Sequence, residues 1–285
     1  MILAPLEYLV LTLALALGFG GAAWLTRRYD WRRPNFRKER IPAVYGLAFV
    51  LAGEFFYAFE WLRPGDLDPA VSASYFLVTL GFGVLGLVDD LWGDRTVGGF
   101  RGHLGALRRG RLTTGAGKAL GGGLLSLCAG YLLTADPIFW HHPGLWWRWP
   151  LAALLIALSA NTLNLLDLRP GRCLSGFFLG AVLLIATLFA QHQASVGFLF
   201  YFAVAVAFIL YPLDAGGRVM LGDTGSNAFG AVWGVAATVY LTPAWQGIAV
   251  ALMLAFQWWC ETHSLSKAIE KSPLLRRLDR KIGVR

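Results

Sequence analysis

Three short stretches carry residues whose types and spacing suit chemistry. LVDDLWGD (Leu87–Asp94) sets two adjacent aspartates, Asp89 and Asp90, with Asp94 four residues further, straight after the apolar run SYFLVTLGFGVLG. A carboxylate at a membrane boundary is costly, and a cation or a substrate is the usual reason a chain keeps one. NTLNLLD places Asn161, Asn164 and Asp167 at i, i+3 and i+6, the spacing of one helix stripe. Three polar residues on such a stripe need a polar partner or a cavity, and a multivalent cation supplies one. GDTGSNAFG (Gly222–Gly230) combines glycines, which let backbone approach a ligand closely, with Thr224 and Ser226, either of which can cap a helix start. The free N–H groups and partial positive charge of such a start suit a phosphate. Asp223 beside them is placed to hold magnesium bridging to that phosphate, since Mg2+ prefers oxygen ligands and is usually held by one or two carboxylates plus substrate phosphates. Each stretch also admits a structural reading: water-facing helix ends for Asp89 and Asp90, interhelical hydrogen bonding for NTLNLLD, and a plain turn and cap for GDTGS.

The elements that must position these residues are apolar. Of the 285 residues, 56% are hydrophobic and 15% charged, and the mean hydropathy is positive. A water-soluble domain carries about 25% charged residues, so that class is excluded. Windows long enough for a bilayer core fall near 2–25, 42–62, 72–88, 117–135, 147–166, 174–191, 196–213, 227–241 and 244–263. They predict an all-α polytopic membrane protein of about nine transmembrane helices, one catalytic domain over 1–263 and a basic cytoplasmic tail over 264–285. The N-terminus lacks the basic region of a secretory signal and reads as a retained span. Cys128, Cys173 and Cys260 stand singly in apolar stretches and offer neither metal spacing nor a disulfide framework.

Numbering the connections in order and placing the first inside puts 23 of the 25 basic residues on one side, with Arg63 and Arg148 opposite. That asymmetry is the positive-inside signature. The N-terminus is therefore expected outside, the tail in the cytoplasm, and the net charge of +8 reflects topology and attraction to anionic lipid rather than nucleic acid. The same map sends Asp89, Asp90, Asp94, Asp167, Asp214 and Asp223 to the cytoplasmic face from separate segments. Glu54, inside the second span, is a candidate intramembrane acid. His141 and His142 fall outside, beside the tryptophans of HHPGLWWRW, an interfacial aromatic belt.

Taken together the chain resembles the polyprenyl-phosphate N-acetylhexosamine-1-phosphate transferase superfamily, which includes phospho-N-acetylmuramoyl-pentapeptide transferase. GLVDDLWGD is similar to the family's double-aspartate motif, NTLNLLD to its N-x-x-N-x-x-D motif, and RVMLGDTGSNAFG to its glycine-aspartate-glycine-serine motif. RPNFRKERIPAVYG looks like the family's first cytoplasmic loop, and Lys118 in TTGAGKALGG falls where the family carries a lysine opening its fourth helix. Departures are equally plain. NTLNLLD continues as DLRPGRCLSG, bringing Arg169 and Arg172, and the tail ETHSLSKAIEKSPLLRRLDR has no histidine-rich loop and no tenth span follows.

The resemblance implies an enzyme of the inner membrane with its site on the cytoplasmic side, acting on undecaprenyl phosphate and a UDP-sugar, releasing UMP in cell-envelope glycan synthesis. It leaves the donor sugar open, and a homodimer is compatible with it. Asp223, then Asp90, are implied as ligands of magnesium, with manganese as the alternative ion. Asp89 is the candidate to orient or deprotonate the lipid phosphate. Asn161, Asn164 and Asp167 are implied at the nucleotide or the metal's waters. Lys118 and Arg218 would neutralise the diphosphate, which Gly222 and Ser226 would help hold. Glu261 and His263 are candidates to stand in for the missing histidine loop. Two rival classes are a membrane aromatic prenyltransferase, for which a second aspartate motif is lacking and GDTGS stays unexplained, and a multi-pass transporter, whose site belongs near the midplane.

Overall fold

A computed structural model describes residues 5–63, 67–93, 113–135, 145–190 and 197–284. Asp94, Arg95, Arg101, Arg108, Arg109, Arg111, His141 and His142 lie outside the described residues.

Nine long helices follow one another in the described chain: α1 (Pro5–Arg28), α2 (Leu47–Leu62), α3 (Pro69–Trp92), α4 (Thr114–Thr134), α5 (Arg148–Leu166), α6 (Arg172–Ala190), α7 (Phe198–Ala215), α8 (Gly222–Tyr240) and α9 (Pro243–Thr262). Six of them, α1 and α3 to α7, are long and apolar enough to cross a membrane. Local chemistry explains several starts. Asp68 accepts the Ala70 N–H ahead of Pro69, and Thr113 accepts the Ala116 N–H, satisfying donors that a helix leaves free in its first turn.

Three boundaries differ from the apolar windows. The second window begins at residue 42, yet α2 starts at Leu47, because Pro42 ends a small antiparallel hairpin of β1 (Arg32–Pro34) and β2 (Arg40–Pro42). This hairpin is an addition to the all-α expectation; hydropathy cannot register it because its residues are mostly charged. The third helix runs past its window to Trp92, which makes Asp89 and Asp90 part of its last turn. The eighth begins at Gly222, five residues before its window, so GDTGS is the first turn of α8 and not a loop before it.

α8 is the axis of the bundle. Nearly all its side chains are buried, from Thr224 to Tyr240, and it lies between α3 and α5. Small residues permit that closeness: a Cβ on Gly86 of α3 would collide with the Asp223 carbonyl, and one on Gly230 would lie 2.5 Å from the Ser159 carbonyl of α5. Stacked rings complete the core, Phe49 of α2 on Phe229 of α8 at 3.9 Å and Phe56 of α2 on Phe202 of α7 at 4.1 Å between centroids. Outward-facing Leu13, Leu17, Leu124, Leu183, Phe208 and Leu252 are exposed, as a lipid-facing surface requires.

The tail is folded. α10 (Leu265–Lys271) and α11 (Pro273–Ile282) turn back on the bundle, each begun by a serine cap, Ser264 and Ser272. Asp279 takes the Arg172 guanidinium in a two-point bridge at 2.6 and 3.0 Å, both side chains nearly buried. Tyr211 donates its hydroxyl to the Ile282 carbonyl at 2.8 Å, and Val284 N–H reaches the Ala215 carbonyl at 2.9 Å.

Candidate active site

The last turn of α3 meets the first turn of α8 through one side chain. Asp90 accepts the backbone N–H groups of Asp223 and Thr224, both at 2.9 Å, and the Thr224 hydroxyl at 2.7 Å. The start of α8 thus receives its cap from another helix. This corrects the expectation that Thr224 or Ser226 caps locally: Ser226 is buried and accepts from Asn164 Nδ2 at 3.1 Å, and Thr224 spends its hydroxyl on Asp90. The backbone donors expected to receive a phosphate there are taken by a carboxylate, which satisfies the same positive helix end.

The capped turn projects Asp223 toward α4. Lys118, one turn into α4, bonds Asp223 Oδ2 directly and stands 3.6 Å from Asp89 Oδ2. Two carboxylates from different helices therefore converge on one cationic group. Asn227 holds the Asp223 carbonyl at 2.5 Å from one turn further along α8. Gly222 sits at φ +73°, in the left-handed region, and a Cβ there would lie 2.7 Å from Asp90 Oδ2. Only glycine serves there.

On the other side of Asp223 lies a cavity of about 590 Å³, roofed by the hairpin and floored by the ends of α3, α5 and α7. Asp90, Asp167, Asp214 and Asp223 line it, with Arg33 and Arg169 as the opposing charges. Asp167 follows the last residue of α5. Burial, and then the neighbouring Asp214, Asp223 and Asp90, push its carboxyl well above the usual carboxylate range, relieved in part by the Gly222 backbone N–H. Four carboxylates at one cavity make a strongly negative pocket. Its hard oxygen donors suit magnesium in kind, and the lysine shared by Asp89 and Asp223 marks where positive charge is stabilised. Among the described residues no three acidic, histidine or cysteine side chains already form a ready metal cage. Asp90 in particular has both oxygens engaged on α8.

The structure brings Asp89, Asp90, Lys118, Asn164, Asp167, Gly222, Asp223 and Ser226 into one connected neighbourhood. Asn161 is not with them. Its amide donates to Gln257 Oε1 of α9 at 2.7 Å, on an exposed face. Each step of three residues falls about 60° short of a helical turn, so the stripe drifts and its first member faces a different neighbour. Arg218 is exposed and does not line the cavity. His263 stacks on Trp259 at 5.2 Å between centroids and is exposed, as is Glu261. Glu54 lies within α2; both its carboxylate oxygens are buried and find no hydrogen-bond partner among the described residues.

Four contributors lay outside the expected site residues: Arg33 and Arg169, the cations lining the cavity, and Asp214 and Asn35. Asp214 is buried at the end of α7 and accepts the Gly171 N–H at 2.9 Å, shaping the loop that carries Arg169. Its signal was an acid at the inner end of an apolar window. Asn35 at the hairpin turn donates to the Gly217 carbonyl at 3.3 Å and lines the cavity; its stretch, RPNFRKERIPAVYG, was singled out only as a loop.

Comparison with known proteins is consistent with this geometry. Glycosyl transferase family 4 matches residues 72–241, which span α3 to the end of α8 and include Asp89, Asp90, Asp167, Asp214 and Asp223. A phospho-N-acetylmuramoyl-pentapeptide-transferase of Moorella thermoacetica is 30% identical over 231 residues, covering 76% of this chain and 67% of the relative. One of Thermosynechococcus vestitus is 30% identical over 215 residues, covering 72% of this chain and 53% of the relative, so this chain spans about half of that protein's length.

Proposed function

The chain belongs to glycosyl transferase family 4, and from that premise we propose that it moves a sugar-1-phosphate, of N-acetylhexosamine type, from a UDP-sugar to undecaprenyl phosphate. UMP leaves, and the lipid-linked sugar diphosphate serves cell-envelope glycan synthesis. On this reading the cavity faces the cytoplasm and the bundle crosses the inner membrane, an orientation supported by the one-sided distribution of arginine and lysine.

The observation that carries the proposal is the convergence of Asp89 and Asp223 on Lys118, with Asp90 fastening the turn that presents Asp223 to the cavity. Phosphoryl transfer is chiefly positioning and neutralisation of charge on the transferred group. An oxygen of the lipid phosphate forms a bond to the β-phosphorus of the nucleotide sugar as the bond from that phosphorus to the UMP oxygen breaks. Two anions must meet for this, and Lys118, Arg33 and Arg169 are the cations beside the carboxylates that offset their repulsion. Asp223, which also carries Lys118, and Asp167 are the carboxylates at the cavity that would hold magnesium, and the ion would supply charge neutralisation at the diphosphate. Asp89 orients the lipid phosphate; with a second pKa near about 6 the phosphate scarcely needs a base at neutral pH. Asn164, held by Ser226, fixes the end of α5 that carries Asp167.

A transporter would place its polar residues near the midplane, whereas these carboxylates gather at one end of the bundle. The test is a donor panel: purified protein in detergent with undecaprenyl phosphate, magnesium and a series of UDP-sugars should release UMP from at least one. Absence of UMP with every donor would remove the basis of the proposal.

A further inference from the structure

A second cavity, of about 760 Å³, opens between the hairpin turn and the end of α11. Arg37 of the hairpin and Arg280 and Lys281 of α11 line it, along with Tyr211, Ile282 and backbone of 283–284. No carboxylate is among its lining residues, and none of the three cations makes an ion pair with a described residue. Like charges gathered around a concave surface repel unless an anion joins them. The walls are built: Tyr211 is bonded to the Ile282 carbonyl and Val284 to the Ala215 carbonyl, so the concavity does not depend on the exposed cations.

The neighbouring face says what kind of anion. On α11, Leu274, Leu275 and Leu278 are 67%, 46% and 49% exposed, while Arg276, Arg277 and Arg280 lie away from them and Lys281 flanks the leucines. At about 100° per residue the leucines share one stripe, and Leu278 leads at i+4 to Ile282 in the cavity wall. A basic amphipathic helix with a bare leucine stripe is the pattern of a helix lying in the membrane interface. A soluble phosphate has no use for that stripe; a phospholipid uses both parts.

We infer that this cavity binds the phosphate of an anionic glycerophospholipid, held by Arg37, Arg280 and Lys281, with its acyl chains along the Leu274–Leu278 stripe. The two cavities are lined by neighbouring stretches of the same hairpin and of the chain after α7. Residues 33–36 and Gly217 line the first, and Arg37 and Ala215 the second. Bound lipid therefore braces the hairpin against the tail, and with it the roof over the carboxylates. The inference rests on the topology proposed above, which puts this end of the bundle at the anionic inner leaflet; its test reads lipid binding and not turnover, so the two can fail separately.

Native mass spectrometry of the full-length protein in detergent, titrated with phosphatidylglycerol, phosphatidylcholine or inorganic phosphate, decides it. The wild type should retain phosphatidylglycerol about tenfold more strongly than phosphatidylcholine. The double variant Arg280→Gln, Lys281→Gln should lose about tenfold in phosphatidylglycerol retention, while Arg276→Gln, Arg277→Gln, with the same charge change away from the cavity, should lose less than about threefold. All four positions are exposed, and an unchanged thermal midpoint confirms folding. Equal retention of the two lipids, or equal losses in the two double variants, overturns the site. Displacement of phosphatidylglycerol by millimolar phosphate overturns its assignment to lipid and makes it a soluble-anion site.

Discussion

Removing the Asp90 carboxylate is the sharpest probe of how the site is held. Its three hydrogen bonds to the first turn of α8 contribute about 1.5 kcal/mol each when the acceptor is charged, roughly 4–5 kcal/mol together. Burying the carboxylate costs back a few kcal/mol, which leaves about 2 kcal/mol, at the upper end of what losing a helix cap costs. Asp90→Ala should therefore let the first turn of α8 fray. A loss of about 2 kcal/mol corresponds to roughly 30-fold faster local opening. Hydrogen–deuterium exchange of a peptide covering 221–226, measured on the full-length protein in detergent, should show that acceleration, while peptides from the middle of α8 stay unchanged. Asp90→Asn, whose amide oxygen can still accept one of the three bonds, should fall between. Exchange at 221–226 within about threefold of wild type in Asp90→Ala would refute the cap, because a 2 kcal/mol effect cannot hide in that margin. Loss of turnover alongside unchanged exchange would assign Asp90 directly to the chemistry.

Other consequences follow from the same contacts. Gly86→Ala forces a Cβ into the Asp223 carbonyl, so α3 must move off α8; UMP release should drop by two orders of magnitude or so with the helix content by circular dichroism intact. Asp279→Ala leaves the Arg172 guanidinium, whose side chain is 6% exposed, without its carboxylate and with only the Ser266 hydroxyl, and should destabilise the protein by about 3 kcal/mol, read as a lower thermal midpoint, whereas Asp279→Glu restores part of it. The raised carboxyl of Asp167 binds a proton more tightly folded than unfolded, so its contribution is lost as pH climbs from its ordinary value, 3.8, through the raised one. In metal-free protein Asp167→Asn should accordingly raise the thermal midpoint at neutral pH and flatten its dependence on pH; a lower midpoint would show the carboxylate to be stabilising in its charged form.

What the sequence made legible was local chemistry: the three motifs are in contact, since Asp90, Asn164, Asp167 and Asp223 lie on segments whose polarity conflicts with their apolar surroundings. What it hid was whatever depends on a neighbour distant in the chain. Asp90 replaces the cap expected from Thr224 or Ser226, because α3 and α8 approach closely enough at Gly86 for a side chain to reach across. The hairpin over 32–42 was invisible to hydropathy, being short and charged, although it roofs the cavity. The tail read only as a basic cytoplasmic segment; its amphipathic period and the acid at 279 fold it back on Arg172. Asn161 misled because an i, i+3, i+6 spacing shares a stripe only approximately over two turns.

The most direct test of the central claim, that Asp223 anchors a divalent ion among these carboxylates, is electron paramagnetic resonance of Mn2+ titrated into the full-length protein with a UDP-sugar present. Wild type should bind one ion that magnesium displaces, and Asp223→Asn should lose it while remaining folded. Equal Mn2+ binding in the two proteins would contradict the account.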